Sequence, residues 1–365
     1  MSTNRDVYVV SAARTAIGTF GGTLKDTAPA DLATLAVKAA LERSGAAPDS
    51  VGHLAMGTVV LTEPRDVYLS RVAAMNAGLP KETPAFNVNR LCGSGLQAIV
   101  SAAQSILLGD CDVAVGAGCE VMSRGAYLVP SARFGARMGD SQMLDLMVGA
   151  LHDPFHKIHM GITAENVAEQ FGISRSMMDE LATESHRRAA AAIAAGRFKD
   201  QIVPVMIKTR KGDVAFDTDE HVKADTTMET LGKMRPAFKK DGSVTAGNAS
   251  GINDAASAVV LAAGDAVKAQ NLKPLARLVG YAHTGVEPTI MGIGPVSATR
   301  KVLAKVGLTV ADLDVIESNE AFAAQACAVV KELQLDPAKV NPNGSGISLG
   351  HPIGATGAII TTKAI

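Results

Sequence analysis

The sequence has no excess of charge of either sign. Its 35 Lys and Arg residues against 36 Asp and Glu give a net charge of −1. A chain without a basic field has no electrostatic reason to bind nucleic acid or an anionic membrane surface. We therefore expect its partners to be small molecules or other subunits.

Long hydrophobic runs are missing from the start of the sequence. The first 18 residues contain only one four-residue apolar run, at 7–10. Signal peptides and transmembrane helices require longer apolar segments. The sequence therefore predicts neither, and we expect a cytoplasmic protein.

Paired cysteines are also missing, because no Cys-x-x-Cys motif occurs. This argues against a disulfide framework or a structural zinc site and favours a reducing compartment. The segment HDPFHKIHM contains three histidines, but no helical pattern brings all three to one face, so we predict no metal site. The histidines are His152, His156 and His159, and the four cysteines are Cys92, Cys111, Cys119 and Cys327.

Short apolar runs alternate with helical patterns along much of the chain. The runs 7–10, 113–118 and 258–263 have the length of buried strands, whereas 31–45 has helical periodicity and closes on Gly45. Such alternation predicts an α/β fold with helices packed on a sheet.

From 122 to about 250 the composition changes, and one long helix is predicted over 174–196. We interpret this region as an inserted, partly helical subdomain over the ligand-binding edge of the sheet.

An internal repeat relates the two ends of the chain. Residues 37–58 match 299–320 at an offset of 262, and 92–100 match 351–359 at an offset of 259. The similarity is low, and chance remains the alternative. If the repeat is genuine, Cys92 and His351 occupy matching strand-to-helix junctions and face one pocket.

Cys92 lies in the segment NRLCGSGLQ, directly before a helical pattern that stops at Gly109. Most cysteines of this kind are buried without chemistry. However, the start of a helix favours a thiolate, and the small residues after Cys92 leave space around the sulfur. The sequence therefore predicts a nucleophilic thiol with a lowered pKa.

His351, in the glycine-rich segment GSGISLGHPIGATG, is a candidate base or hydrogen-bond donor.

Five segments in a fixed order together resemble the thiolases: ARTAIGTFGG (13–22), NRLCGSGLQAI (from 89), TAGNASGINDAA (245–256), SNEAFA (from 318) and NPNGSGISLGHPIGATG (from 341). The resemblance covers the whole chain and is greatest to bacterial short-chain acetyl-CoA acetyltransferases, or β-ketothiolases. It implies a thiolase fold, with two pseudo-symmetric αβαβα-type halves in a five-layer core. The expected divisions are 1–121 for the first half, completed by 252–272, then 122–251 for the inserted loop subdomain and 273–365 for the second half.

The resemblance also implies an activity, the reversible condensation of two acetyl-CoA molecules to acetoacetyl-CoA, or thiolysis of a short 3-ketoacyl-CoA. Cys92 would accept the acyl group, and His351 would activate it. Asn319 would hold a water that, with His351, donates hydrogen bonds to the thioester oxygen. No permanently bound cofactor is expected, because coenzyme A thioesters are the substrates.

The coenzyme A contacts implied by the resemblance lie mainly in the insertion. His159 and Met160 would line the pantetheine tunnel, with Ser250 in contact with the pantetheine and Phe238 nearby. Met291 would border the acyl group, although a core methionine explains it equally well. Lys223 stands where relatives often have arginine, and a lysine keeps the attraction for phosphate but not the planar group that stacks on adenine.

One motif expected from the resemblance is missing, a second reactive cysteine in a glycine-rich segment after His351. Cys111, Cys119 and Cys327 do not match it and are predicted to be structural. We therefore expect the sequence to be truncated. A condensation-deficient, acyl-CoA-binding protein is an alternative, and a cysteine hydrolase that uses Cys92 and His351 is a weaker one.

The segment 123–141 suggests an oligomer. It carries Tyr127, Leu128, Phe134 and Met138 between arginines, which suits an arm that packs on a partner. Since thiolases are commonly tetrameric, we expect a homotetramer, with a loop folded onto its own domain as the alternative.

Overall fold

A computed structural model describes residues 5–365, so the first four residues of the predicted first half lie outside the described residues. The strands are β1 (Val7–Arg14), β2 (Gly18–Thr19), β3 (Val51–Gly57), β4 (Ala85–Val88), β5 (Val113–Val121), β6 (Tyr127–Leu128), β7 (Leu144–Asp145), β8 (Val205–Thr209), β9 (Gly212–Phe216), β10 (Asn253–Ala263) and β11 (Ala276–Arg277).

The α-helices alternate with these strands in the first 121 residues and dominate the second half. They are α1 (Pro29–Ser44), α2 (Leu69–Asn76), α3 (Ser94–Leu108), α4 (Leu146–Ala150), α5 (Met160–Phe171), α6 (Arg175–Ala194), α7 (Met228–Gly232), α8 (Gly264–Ala269), α9 (Gly294–Val306), α10 (Ala323–Leu333), α11 (Gly346–Leu349) and α12 (Thr356–Ala364).

The predicted helix ends are confirmed where the local signal is strong. Gly45 and Gly109 follow α1 and α3 with φ angles of 69° and 84°, the left-handed conformation that glycine adopts without strain. Ser174 caps α6, because its side chain accepts a hydrogen bond from the N–H of Met177.

The central sheet is mixed, with the strand order β11-β1-β10-β5-β3-β4 and with β2 paired to β10. β10 is antiparallel to both β1 and β5, whereas β3 is parallel to β5 and β4. Every residue of β5 and β10 is buried, since helices cover both faces. The carboxyl ends of β4 and β5 therefore lie at the same edge, where Cys92 follows β4.

Alternate residues of β5 face different helix layers. The thiol of Cys119 contacts the Pro29 carbonyl of α1, whereas a side chain at Gly118 would meet the backbone of Gly354 and Ala355, just before α12. Cys119, predicted to flank this strand, lies within it. The helices α1 and α2 thus cover one face, and α3 and α12 cover the other.

The internal repeat appears as a reciprocal contact between α3 and α12. A Cβ atom at Gly95 would lie 2.7 Å from the N atom of Ala358, and a Cβ atom at Gly357 would overlap the N atom of Leu96. The two glycines, the two residues that they contact and the first residues of the two helices are each 262 positions apart. The predicted offset of 259 was therefore wrong here by three residues, and Cys92 corresponds to Gly354, not to His351.

Residues 273–365 contribute mainly helices. Within the described part of this region, β11 joins the central sheet, and Ile316 and Val340 form an isolated bridge. His351 therefore follows the short helix α11 and not a strand, which corrects the predicted strand-to-helix junction. Asn319 and Glu320 precede α10, which begins only at Ala323, after an extended Phe322.

The region predicted to be an insertion contains α4 to α7 and two small hairpins, β6–β7 and β8–β9. Helices α5 and α6 pack on α10 through an apolar cluster that includes Val167, Met178 and Ala323. This contact places α5 beside the segment that leads from Asn319 to α10.

The arm at 123–141 is largely exposed. Phe134 and Met138 are 86% and 98% exposed, and Tyr127 and Leu128 are about half exposed. These side chains do not fold onto their own domain, which was the alternative to an arm that contacts a partner.

Within residues 5–365, one segment is long and apolar enough to cross a membrane, Leu91–Leu108. It is essentially α3, which packs on the central sheet beside α12. A half-buried helix in this position is typical of a protein core, so the segment is weak support for a membrane span.

Candidate active site

The Cys92 turn, residues 89–94, connects β4 to α3 through short local hydrogen bonds. The side chain of Ser94 accepts from the N–H of Arg90 at 2.8 Å and donates to the carbonyl of Leu91 at 2.6 Å. The N–H of Leu91 donates to Asn89 at 3.0 Å. Leu91 has a φ angle of 47°, an uncommon conformation for a branched residue, and such strain is often found at functional sites. The turn presents Cys92 two residues before the helix.

Burial raises the pKa of the Cys92 thiol to about 11, and the negative charge of Glu120 adds to the increase. The backbone N–H of Cys92 opposes this effect but does not overcome it. The predicted lowering of the pKa is therefore wrong, because the cost of burying a thiolate exceeds the benefit of the helix start. Cys92 is a thiol at neutral pH and needs a base to remove its proton.

His351 is a buried imidazole held at both its backbone and its ring. Its N–H donates to the side chain of Asn253 at 2.9 Å, and its Nδ1 lies 2.6 Å from the hydroxyl of Thr356. That hydroxyl donates its single proton to the carbonyl of Pro352 at 2.9 Å. Nδ1 must therefore carry the ring proton and donate it to Thr356, since the hydroxyl has no second proton to give.

This hydrogen bonding leaves Nε2 of His351 as the basic nitrogen. Burial lowers the pKa of His351 to about 4, so the ring is neutral at physiological pH. A neutral imidazole with a free Nε2 can accept a thiol proton.

Asn319 lies beside this ring. Its Nδ2 is 3.4 Å from both ring nitrogens, too far for a strong hydrogen bond. Its Oδ1 is buried without a hydrogen-bond partner. An unpaired buried acceptor is costly, which makes it a suitable place for a water molecule or a substrate donor.

A cavity of about 500 Å³ brings these groups together. Cys92 and Asn319 line it directly, as does Thr356, and His351 lies behind Thr356. Met291, the predicted neighbour of the acyl group, lines the same cavity. The structure therefore places a thiol and an unpaired amide oxygen at the wall of a space that can admit an acyl group, with a neutral imidazole beside Asn319 and Thr356 of that wall.

Models of known families match the chain over almost its full length. The thiolase N-terminal domain matches residues 7–265, and the thiolase C-terminal domain matches residues 272–365. The chain belongs to the thiolase family. The boundary between these matches falls near the predicted start of the second thiolase half.

Similar proteins agree with this assignment. The chain is 67% identical to beta-ketothiolase BktB of Cupriavidus necator, with 99% of this chain and 92% of that protein aligned. Among solved structures, it resembles the acetyl-CoA acetyltransferase of Bacillus anthracis at 47% identity and a TM-score of 0.96, covering 100% of this chain and 92% of the other. Human mitochondrial 3-ketoacyl-CoA thiolase in complex with CoA gives 45% identity and a TM-score of 0.95, covering 100% and 91%. The predicted thiolase fold is therefore confirmed.

Beside the thiolase cavity, a set of stacked rings gathers several of the predicted coenzyme A contacts. His159 stacks on Phe238 with ring centroids 4.8 Å apart, and Phe238 meets Phe322 edge to face at 6.1 Å. Met160 and Met291 pack on the same apolar cluster. The N–H of Ser250 donates to the carbonyl of Ala321, which lines the cavity. These groups form one wall beside the Asn319 segment.

Lys223 lies apart from that wall. Its side chain is exposed, and its backbone N–H donates to Nδ1 of the buried His186 at 3.1 Å. No contact among the described residues joins the Lys223 side chain to His159 or Phe238. Its predicted role toward a phosphate stays a prediction.

The histidines of the HDPFHKIHM segment have other partners. His152 meets His159 edge to face at 5.0 Å, and His156 pairs with Asp153 at 3.0 Å. Within residues 5–365, no group of three or more His, Cys, Asp or Glu side chains is arranged to hold a metal ion.

The other three cysteines are unpaired thiols, and burial raises the pKa of each, to about 11 for Cys111 and to about 12 for Cys327. Cys92 is the member of the four that lines the cavity. The structure therefore separates Cys92 from the rest by its position and not by a lower pKa.

Sequence reasoning missed four side chains that build this site. Phe322 was quoted in SNEAFA but received no role, and Thr356 follows His351 by five residues without any local signal. Glu120 is a lone acid in an apolar strand, which could have marked it as unusual. Asn253 is remote from His351 along the chain, so only the folded structure reveals its part. These residues contact the reacting groups or the segments that carry them, and so hold them in position.

Proposed function

We propose that the protein is an acetyl-CoA C-acetyltransferase, or β-ketothiolase, that forms an acyl-Cys92 intermediate. It catalyses the reversible condensation of two acetyl-CoA molecules to acetoacetyl-CoA and CoA, or thiolysis of a short 3-ketoacyl-CoA. The observation that carries this proposal is the shared cavity of Cys92 and Asn319 with His351 directly behind it, in a chain 67% identical to a beta-ketothiolase.

In the acyl-transfer step, the Cys92 thiol gives its proton to Nε2 of His351 as the sulfur attacks the thioester carbonyl. The new carbon–sulfur bond forms a tetrahedral intermediate whose oxygen carries the negative charge. The bond to the coenzyme A sulfur then breaks, and that thiolate takes the proton from His351. Atoms and charge balance, and His351 returns to its neutral form.

Asn319 supports the tetrahedral oxygen through water. The unpaired Oδ1 accepts one proton of a water molecule, whose other proton points to the oxygen. Hydrogen bonds directed at a developing negative charge stabilise the transition state more than the substrate.

Condensation needs a further base to remove the α-proton of the second acetyl-CoA. Cys111, Cys119 and Cys327 are not among the described residues that line the cavity, so none of them suits this task. The second candidate is a thiolase-like acyl-CoA-binding protein that is acylated without condensation, and formation of acetoacetyl-CoA distinguishes the two.

The stacked wall is the proposed pantetheine contact, because an apolar surface with one polar side chain suits a long, flexible arm with amide groups. His159, Met160, Phe238 and Ser250 supply this wall, and Met291 borders the acyl group. Lys223 attracts the phosphates electrostatically.

The assembly is a homotetramer in the cytoplasm, without nucleic acid or membrane partners. The exposed Phe134 and Met138 support an arm that packs on another subunit, and the unpaired cysteines fit a reducing compartment. Sedimentation equilibrium that gives a monomer at micromolar concentration would contradict the tetramer.

Acylation by acetyl-CoA tests the proposal directly. After an acid quench, mass spectrometry is expected to find one acetyl thioester, on the Cys92 peptide. Cys92→Ser abolishes the label, whereas the matched Cys327→Ser keeps it. Acetoacetyl-CoA formation separates the two candidates, because a labelled protein without this product supports the acyl-CoA-binding alternative. A label on another cysteine with Cys92 free would refute both.

A further inference from the structure

Glu120 differs from the buried carboxylates Asp219 and Glu317 in what it binds. Asp219 pairs with Arg14 at 2.8 Å, and Glu317 pairs with Lys363 at 2.7 Å. Glu120 instead accepts hydrogen bonds from backbone N–H groups. Burial raises the pKa of Glu120 to about 8, and these N–H donors, which favour the charged form, oppose the increase.

The three donors come from two distant parts of the chain. Val59 and Val60, just after β3, donate at 3.1 and 3.0 Å, and Gly354 donates at 2.8 Å. Gly354 lies three residues after His351, in the same loop. One side chain thus joins the central sheet, beside the Cys92 turn, to the loop that carries the base.

The fit around Gly354 is too tight for any other residue. A Cβ atom there would overlap the Glu120 carboxylate and would lie 2.9 Å from the Cα atom of Thr58. The loop therefore approaches the sheet through bare backbone, and its position depends on the hydrogen bond to Glu120.

We propose that Glu120 is a positioning residue for acyl transfer, because its carboxylate holds the His351 loop against the half of the molecule that carries Cys92. This inference rests on the proposed function for its catalytic consequence but not for the structural tie itself. Glu120 touches no substrate and acts through His351.

Glu120→Gln tests the tie with little change in shape. The glutamine side chain has one acceptor oxygen where glutamate has two. At least one of the three backbone N–H groups therefore loses its hydrogen bond and faces the NH₂ group of the amide instead. Hydrogen–deuterium exchange in peptides covering 350–356 is expected to increase at least about tenfold. The rate of Cys92 acylation is expected to fall about tenfold to a hundredfold, with KM for acetyl-CoA nearly unchanged, since misplacement of a catalytic group reduces the rate more than binding.

Glu165→Gln is the matched control. Glu165 is also buried and accepts the N–H groups of Ser243 and Val244, each at 2.9 Å, away from the His351 loop. The Glu165→Gln variant should be less stable and should show faster hydrogen–deuterium exchange near 243–244. Its exchange at 350–356 and its rate of Cys92 acylation should stay at the wild-type values.

Glu120→Asp replaces the test if Glu120→Gln does not fold. Aspartate keeps both carboxyl oxygens but is shorter by one methylene and cannot reach both segments, so the same changes are expected. Wild-type exchange at 350–356 together with wild-type acylation in the folded variant would overturn the inference, as would an equal loss of acylation in Glu165→Gln. A wild-type protein that takes up no acyl group refutes the proposed function, whereas exchange at 350–356 still decides whether Glu120 holds the loop.

Discussion

Ser94 and Asn253 are both fully buried polar side chains, and each joins two backbone groups. Ser94 binds Arg90 and Leu91, four and three residues away in the Cys92 turn. Asn253 binds His351 and Gly18, which lie 98 and 235 residues away. The nucleophile is thus held by its immediate neighbours, whereas the base is held by distant elements of the fold.

The difference has an energetic consequence. A local turn has other hydrogen bonds that restrain it, such as those from Gly93 to Arg90 and from Leu91 to Asn89. The His351 loop depends on separate contacts to Asn253, Glu120 and Thr356. Removing a buried partner costs about 1–3 kcal/mol for each group left unpaired. We expect disturbance of the loop to affect chemistry more than disturbance of the turn.

The largest effect is expected from His351→Asn, which removes the base but leaves the Cys92 turn intact. Acylation of Cys92 should slow by about 10³-fold, within the range for loss of a general base. Quenched-flow mass spectrometry measures the rate. Alkylation of Cys92 by iodoacetamide at high pH serves as the control and should stay close to the wild-type rate. Acylation within tenfold of wild type would remove His351 from the role of base.

A smaller effect is expected from the pair Asn253→Ala and Ser94→Ala. Asn253→Ala leaves the N–H of His351 and the carbonyl of Gly18 unpaired, so acylation should fall about a hundredfold as the loop shifts. Ser94→Ala should reduce it by less than about tenfold, because the remaining turn bonds persist. Thermal melts of both variants verify that they fold. An equal or reversed order of the two acylation rates would break the contrast between local and distant support.

The smallest effect concerns stability and not catalysis at neutral pH. Burial lowers the pKa of His351 to about 4 from an ordinary value near 6.5. Between these pH values the unfolded chain therefore binds a proton at this histidine that the folded chain excludes. The contribution of His351 to the free energy of unfolding is fully present above about pH 6.5 and is lost as the pH falls to about 4. The loss due to His351 is at most about 3 kcal/mol.

Urea denaturation at pH 7, 5.5 and 4.5 checks this dependence. His351→Asn should show a shallower loss of stability than the wild type, and His186, whose pKa burial also lowers to about 4, is present in both proteins and does not account for the difference. Identical slopes would mean that His351 is not buried in its neutral form.

The same contrast explains which features could be predicted from the sequence. Gly45, Gly109 and the Ser174 cap are local signals, and the helices they bound occur as predicted. Family motifs likewise drew attention to Cys92, which lines the cavity, and to His351, which contacts Thr356 of the cavity wall.

Features that depend on the folded environment could not be predicted in this way. The pKa of Cys92 had the wrong predicted direction, because the local helix start is visible in the sequence but the burial of the thiol is not. The support from Asn253 and Glu120 crosses between distant segments, and no periodicity or spacing records it. The predicted repeat offset of 259 was wrong by three residues because it was chosen to align glycines in the sequence. The packing of α3 on α12 gives the structural offset, and only the folded contact of Gly95 with Ala358 reveals it.

The glycine contact between α3 and α12 has a consequence for how the chain can evolve. At Gly95 and Gly357 the obstacle to a side chain is the backbone of the opposite helix, and backbone cannot be replaced by a smaller residue. No second substitution can therefore compensate for a first, so neither position offers a mutational route through an intermediate. Saturation libraries at these two positions should return glycine, whereas the solvent-facing residues of the same helices vary freely.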